Sequence, residues 1–569
     1  MQLVDTLAER GVLNEKDYLR ASEALAASPE KPAHQLLLDL NFVREDQLLP
    51  ILADEFGLDY VDLMTAQVDP KALVGIPQKL VHKKNLMPLS RSENTLIVAT
   101  GDPFDSYALD ELQTITGLSI QPVLGSSKEI ARLLKVHFGI GGDNVAALNA
   151  TAAEDDIELL EQIEADDSEA AKQAQEATVV GLVNKILTEA ASERASDIHI
   201  EQEETGIVIR YRIDGMLQVQ RLPEGINRWQ NAIVSRLKIM ARLNIAEKRL
   251  PQDGRIKMKV QGREVDVRVS IIPMIHGEGI VMRLLDKGRM VFNLKNIGFL
   301  DDYDKKFRQL IDRPHGIVIV TGPTGSGKST TLYSALNEVK DETTKIITVE
   351  DPVEYQQAGI CQIQTHAKIG LTFASSLRSI LRHDPDIILI GEMRDLETAE
   401  AAIQASLTGH LVFSTLHTND APSAFTRLID MKVEPFLVAS TVEGILAQRL
   451  VRTICPDCKT QYTPDSEELG IDFPKINPFT NQAPEHLFKG AGCRACRNSG
   501  YRGRTGIHEL LINSDVVKDL IVQRVNSGII RMEGLKQGMR TLRQDGFYKA
   551  LRGGTTLDEV NRATAGDIS

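Results

Sequence analysis

Eight residues, Gly322-Pro-Thr-Gly-Ser-Gly-Lys-Ser329, have the composition and spacing of a loop that cradles phosphate. Glycines let successive backbone N–H groups turn inward toward an anion, and a following helix N-terminus adds its partial positive charge. Lys328 is then placed to reach β- and γ-phosphate oxygens, and the Ser329 hydroxyl to ligate Mg²⁺. The expected ATP-contacting set is Gly322, Pro323, Thr324, Gly325, Ser326, Gly327, Lys328, Ser329 and Thr330.

That chemistry needs a strand before the loop and a helix after it. His315-Gly-Ile-Val-Ile-Val320 supplies a short buried strand, and Lys328 to Val339 has helical spacing. A second apolar run, Asp386-Ile-Ile-Leu-Ile390, ends in Gly391-Glu392, which delivers a carboxylate where open α/β sheets bind ligands. Between them Lys345-Ile-Ile-Thr-Val-Glu350-Asp-Pro-Val-Glu354 is a further strand running into acidic residues suited to orienting and deprotonating a water. Pattern leaves Glu350, Glu354 and Glu392 as alternatives for the base. Leu411-Val-Phe-Ser-Thr-Leu416 is another buried strand, which puts His417 at the same edge as a candidate sensor of the γ-phosphate. Arg378 and Arg382, four residues apart on a helical pattern, share a face that either bridges subunits or coats the surface.

Four of the five cysteines form two pairs, Cys455-Pro-Asp-Cys458 and Cys493-Arg-Ala-Cys496. Two such knuckles suit a closed tetrahedral structural Zn²⁺ site with no open position for catalysis. Cys361 stands alone and reads as a packed or incidental thiol.

Upstream, Ile207-Val-Ile-Arg-Tyr-Arg-Ile213 reads as a strand entering an Asp214-Gly215 hairpin turn. Period-two alternation puts Arg210 and Arg212 on one face and Ile209 and Tyr211 on the other. The arginines either lie on a solvated face or reach a phosphate across an interface. Residues 1–57 read as paired helices, because Gly11–Tyr18 aligns with Asn41–Leu48 at a period of 30. A small α/β domain is expected over 58–138, a flexible acidic linker over 139–177, and a second α/β domain over 178–292. The nucleotide-binding domain then occupies 293–569, with a cysteine insert at 453–506.

At 569 residues the chain is too long for one core, and three or more domains are expected. The formal charge of −14 is uneven, since Glu154 to Glu169 holds nine carboxylates and no base, which leaves about −5 elsewhere. That balance gives no electrostatic footprint for nucleic acid. The N-terminus lacks a secretory pattern and no apolar run approaches a bilayer span, so a cytoplasmic location is expected.

Taken together, the motifs resemble the GspE/PilB family, the ATPases of type II secretion and type IV pilus assembly. The resemblance covers most of 178–569. It rests on Ala195-Ser-Asp-Ile-His-Ile200, Gly322–Ser329, Thr348–Glu354, Gly391-Glu-Met-Arg-Asp395, Thr408–Val412, Ser414–Thr418 and the paired cysteines. It implies a homohexameric, RecA-like ATPase core preceded by a PAS-like α/β domain that packs on a neighbouring subunit, with the nucleotide between them. By the same resemblance Glu354 is the catalytic glutamate, Glu392 the Walker B residue, His417 the His-box residue and Arg210 a phosphate-contacting arginine. Arg221 and Arg228 both stand near the place of a second arginine. The cysteine module and Gly500–Glu509 are similar to assembly motors, which the retraction motors are not, and Arg504–Leu511 is closer to type II secretion members. Peripheral attachment to the inner membrane through platform and adaptor proteins is implied. Residues 1–57 resemble a module that in some relatives binds cyclic di-GMP through Arg-Leu-Gly starts. Here Gln2-Leu3-Val4 and Pro32-Ala33-His34 stand instead, which argues against that ligand and for docking to a membrane-bound partner.

Overall fold

The computed structural model describes residues 2–565 except 28–31, 41, 65, 139–156, 160–168, 223–224, 261, 287–291 and 471. Most of the acidic linker therefore lies outside the described residues. The chain divides into two compact units, Met1–Gly288 and Arg289–Ser569. No helix among the described residues is long and apolar enough to cross a membrane.

The first unit opens with helices Gln2–Glu9, Glu15–Ala27, Ala33–Asp39 and Glu45–Phe56. The 30-residue repeat is a repeat of packing: Leu7 and Leu37, and Leu13 and Val43, occupy equivalent buried positions in the two helix pairs. Gly57, in the left-handed region at φ 64°, ends the fourth helix. A four-stranded sheet follows, in the order Asp59–Tyr60, Ser119–Leu124, Thr95–Thr100, Leu86–Arg91. Helices Ser106–Thr116 and Ser127–Phe138 cover it, burying Leu112 and Ile130 against Leu96 and Val98.

The third part of this unit is a seven-stranded antiparallel sheet. Two of its neighbouring strands, Ala195–Glu203 and Gly206–Ile213, pack Ile198, Ile209 and Tyr211 against helices Ala177–Ser192 and Gln230–Met240. Ile213 pairs with Met216 across a two-residue turn in which Asp214 (φ 48°) and Gly215 (φ 89°) are both left-handed. That conformation matches the twist of the flanking strands and explains why Asp-Gly sits there.

The second unit is built on seven strands: β1 (Gly316–Thr321), β2 (Ile346–Glu350), β3 (Cys361–Gln364), β4 (Ile387–Ile390), β5 (Leu411–Leu416), β6 (Val442–Ile454) and β7 (Tyr501–Ile512). Their spatial order is β3-β2-β4-β5-β1-β6-β7, parallel throughout except for the β6–β7 pair. β1, β2, β4 and β5 are buried along their whole length, as a parallel sheet with both faces covered requires. One face packs α1 (Lys328–Val339) through Leu332 and Leu336, and the other packs Leu396–Leu407 and Pro422–Asp430. The cysteines hang between β6 and β7 on residues 455–500. That segment is narrower than 453–506 because both long strands run on to its edge. Cys361 is exposed on edge strand β3.

Candidate nucleotide-binding site

Parallel register brings the strand ends to one edge. Thr321 pairs with Leu416, so Gly322 and His417 leave the sheet side by side. Ile390 pairs with both Val349 and Ser414, which puts Glu350 and Gly391-Glu392 on the same rim. Thr321 Oγ1 accepts the Thr418 N–H at 2.9 Å and so ties the end of β1 to the loop after β5.

The loop needs its glycines. Gly322, Gly325 and Gly327 have φ of 146°, 79° and 91°. A Cβ on Gly322 would lie 2.4 Å from the Gln448 carbonyl oxygen, and one on Gly327 would lie 2.7 Å from Gln448 Nε2. Lys328 Nζ donates to the carbonyls of Gly322 at 2.8 Å and Pro323 at 3.2 Å, so its ammonium is folded back over the loop. Burial pushes this ammonium below its ordinary pKa, and the Glu392 charge partly opposes the shift. Ser326 Oγ is buried with no hydrogen-bond partner among the described residues, although its chemistry suits an anionic oxygen. The left-handed glycines, this hydroxyl and the folded-back lysine fit a phosphate chain.

Glu392 is mostly buried and held from two sides. Arg394 Nη2 lies 2.5 Å from Oε1, and His417 Nε2 lies 3.4 Å from Oε2. Sequence reading missed Arg394. Glu350 behaves differently, because its carboxylate accepts from Tyr333 OH, from Thr348 Oγ1 at 2.6 Å and from Gln362 Nε2 at 3.1 Å. Both oxygens are occupied by the protein's own donors, which suits a structural anchor better than a base. Gln362 also donates to the Tyr355 carbonyl at 3.0 Å, and the Tyr355 ring lies 5.4 Å from that of Phe292. The segment carrying half-buried Glu354 is thereby pinned.

Arg210 belongs to the other unit. There its guanidinium sits 2.7 Å from Glu201 and 3.0 Å from Glu203, both on the neighbouring strand. Arg212 shares its face, 3.8 Å from Asp197. Arg378 pairs with Glu397 at 2.7 Å on an exposed surface, and Arg382 donates to the Arg378 carbonyl at 2.8 Å.

Two more residues behind the rim escaped sequence reading. Gln448, in the middle of β6, donates from Nε2 to the Ser326 carbonyl at 2.9 Å and accepts from Thr331 Oγ1 at 2.6 Å. Asp420 caps the helix after β5 by accepting the Ser423 N–H at 2.7 Å and pairs with Arg531 at 2.6 Å. The neighbouring Ala421 N–H donates at 2.8 Å to Glu509, whose burial raises its pKa to about 7.

The four cysteine sulfurs all lie within 4.8 Å of one another. Cys455 to Cys493 is 3.6 Å, and Cys458 to Cys496 and Cys493 to Cys496 are each 3.7 Å. Four sulfurs at the usual Zn–S distance of a tetrahedral ion stand about 3.8 Å apart, so these cysteines fit Zn²⁺. Burial raises the Cys496 thiol, but N–H donors from Cys493 and Gly500 outweigh it and bring the pKa down to about 7. The deprotonated form that a metal requires is thus favoured at one ligand.

A buried strand, a left-handed glycine loop and a lysine opening the next helix, with a held carboxylate on the adjacent rim, define a P-loop ATPase. Residues 172–562 match the family described as Type II/IV secretion system protein, and the chain belongs to that family. Residues 56–143 match the MshEN domain, which falls on the four-stranded sheet and not on the helices of 1–57. The Type II secretion system protein E of Xanthomonas campestris pv. campestris is 44% identical over 99% of this chain and 98% of its own length. The type IV pilus assembly ATPase PilB of Myxococcus xanthus is 44% identical over 93% of each chain. The type II secretion system ATPase E of Vibrio cholerae is 50% identical over 68% of this chain and 76% of its own.

Proposed function

We propose that this protein is the hexameric ATPase motor of type II protein secretion, working at the cytoplasmic face of the inner membrane to drive pseudopilus assembly. The observation that carries the reading is the single rim on which the loop 322–329, Lys328, Glu392 and His417 meet. In this reading the loop binds the triphosphate of ATP, and Lys328 swings from its own carbonyls to the β- and γ-oxygens. Ser329 is the residue whose hydroxyl would hold Mg²⁺, with Glu392 acting through it, and the ion when bound would supply charge neutralisation at the phosphates. Glu354 orients and deprotonates the attacking water. His417 reports the γ-phosphate to Glu392 across their 3.4 Å contact. Arg210 completes the site from a neighbouring subunit once it exchanges Glu201 and Glu203 for phosphate, and Arg221 and Arg228 are the two candidates for a second arginine. Zn²⁺ on Cys455, Cys458, Cys493 and Cys496 is structural.

A second reading, type IV pilus extension, is favoured by the 44% identity to a pilus-assembly relative across 93% of each chain. Deleting the gene and scoring exported proteins and surface pili in parallel separates the two. Lost export with intact pili supports the secretion motor, and the reverse result overturns it in favour of the pilus motor. ATP turnover stimulated by DNA with a steep salt dependence would instead point to a DNA translocase.

A further inference from the structure

Gln448 is an uncharged polar residue that closes the buried run 444–448 of β6, and it is 2% exposed. Its neighbours on β6, Leu446 and Ala447, are fully buried in the two cores that sandwich the sheet. A carboxamide buried among such residues costs stability unless both its ends are bonded. Both are: Nε2 donates to the Ser326 carbonyl inside the glycine loop, and Oε1 accepts from Thr331 on the first turn of α1. One side chain therefore bridges the loop to the helix whose N-terminus faces the same anion. The first and last glycines of the loop also rest against this residue, Gly322 on its carbonyl oxygen and Gly327 on its amide nitrogen.

Phosphate binding by backbone N–H groups depends on where those groups point before the ligand arrives. Among the described residues, the Ser326 carbonyl is bonded to a side chain at Gln448. We infer that Gln448 is a positioning residue for nucleotide: it fixes the peptide at Ser326–Gly327 and so aims the loop, without touching the reacting atoms. The inference rests on the loop 322–329 being the nucleotide site. Ground-state and transition-state phosphates use the same loop, so its loosening weakens binding of both and leaves the chemical step nearly untouched.

The test uses the full-length, zinc-loaded chain with Mg·ADP titrated by calorimetry and steady-state ATP turnover measured alongside. Gln448→Leu keeps the volume and removes both bonds. Thr331→Val removes only the helix anchor. Gln448→Leu is expected to raise the Kd for Mg·ADP and the KM for ATP about tenfold, with kcat within about twofold of the parent. Thr331→Val is expected to raise both about threefold, and adding it to Gln448→Leu to change nothing further, because its effect runs through the same carboxamide. If Gln448→Leu fails to fold, Thr331→Val decides by itself. Unchanged Kd and KM in the folded variants, or a fall in kcat with KM unchanged, overturns the inference. Lys328→Ala serves as the reference: if it too leaves Mg·ADP affinity intact, the reading of the loop has failed and not only the role of Gln448.

Discussion

The nucleotide rim and the cysteine module are both built for charged ligands, yet they are assembled in opposite ways. The rim joins the whole loop after β1 to single side chains from the loops after β4 and β5, up to 95 positions apart in the chain, and relies on a buried sheet to align them. The module takes all four ligands from two short turns, where Cys458 lies beside Cys496 and Cys455 beside Cys493. Its segment 455–500 adds buried Phe473 and Leu487 to a small cluster whose other buried members, Phe547, Leu551, Leu557 and Val560, come from the C-terminal helices. The rim should therefore persist without its ligand, and the module should not persist without its ion.

The largest effect expected from this contrast is on metal removal. Structural zinc contributes folding free energy on the order of 10 kcal/mol in small domains. Chelation, or Cys496→Ser, should release one zinc per chain and open 455–500 to protease while β1 to β5 stay protected. An unchanged cleavage pattern after metal loss would show that the module stands without its ion. Next in size is Lys328→Ala, which should lower ATP turnover by about 10²–10³-fold, near 3–4 kcal/mol of transition-state stabilisation. Its unfolding midpoint should stay close to the parent's, and a large drop in midpoint would break the contrast by making the rim ligand-dependent.

A smaller effect concerns Glu509, which supports the loop after β5. Its folded pKa of about 7 stands above the ordinary 4.5, with the Ala421 N–H, Asp420 and Arg531 as its polar surroundings. The native state thus holds a proton that the unfolded chain gives up. The protonated carboxyl contributes its stability below pH 4.5, and that contribution falls as pH rises through 7, to a total of about 3 kcal/mol. Glu509→Gln keeps the acceptor for Ala421 and cannot ionise. Its thermal midpoint should exceed the parent's at pH 8, with the gap closing toward pH 5; a gap independent of pH removes the argument. The smallest effect is at Arg378, whose pair with Glu397 is exposed on both sides. Arg378→Ala should change stability by less than about 1 kcal/mol. A marked loss of oligomer in that variant would instead make this face an interface.

Much of this was legible because it is local. The strand, loop and helix around Gly322–Ser329 declare themselves within 25 residues, the Asp214-Gly215 turn needs only two, and the cysteine pairs announce a metal by spacing. What stayed hidden is made by distance. Glu350, Glu354 and Glu392 look alike in sequence, and only Tyr333, Thr348 and Gln362 closing on Glu350 set it apart. Gln448 sits 122 positions from the carbonyl it holds, and beside Arg449 and Arg452 no local pattern marks it. Arg394 lies inside a motif that was recognised, but its grip on Glu392 is a matter of rotamer and not of spacing.

β6 runs unbroken from Val442 to Ile454, with Gln448 under the glycine loop and Cys455 one residue beyond its end. A strand advances about 3.4 Å per residue, so the seven steps between them set a separation near 24 Å. Paired with β7 along this stretch, with one register shift between Arg452 and Ile454, β6 works as a ruler between a site that exchanges its ligand and one that keeps it. Spin labels placed beside the two ends should give one distance with and without nucleotide, and whatever swings during turnover must pivot about that fixed length.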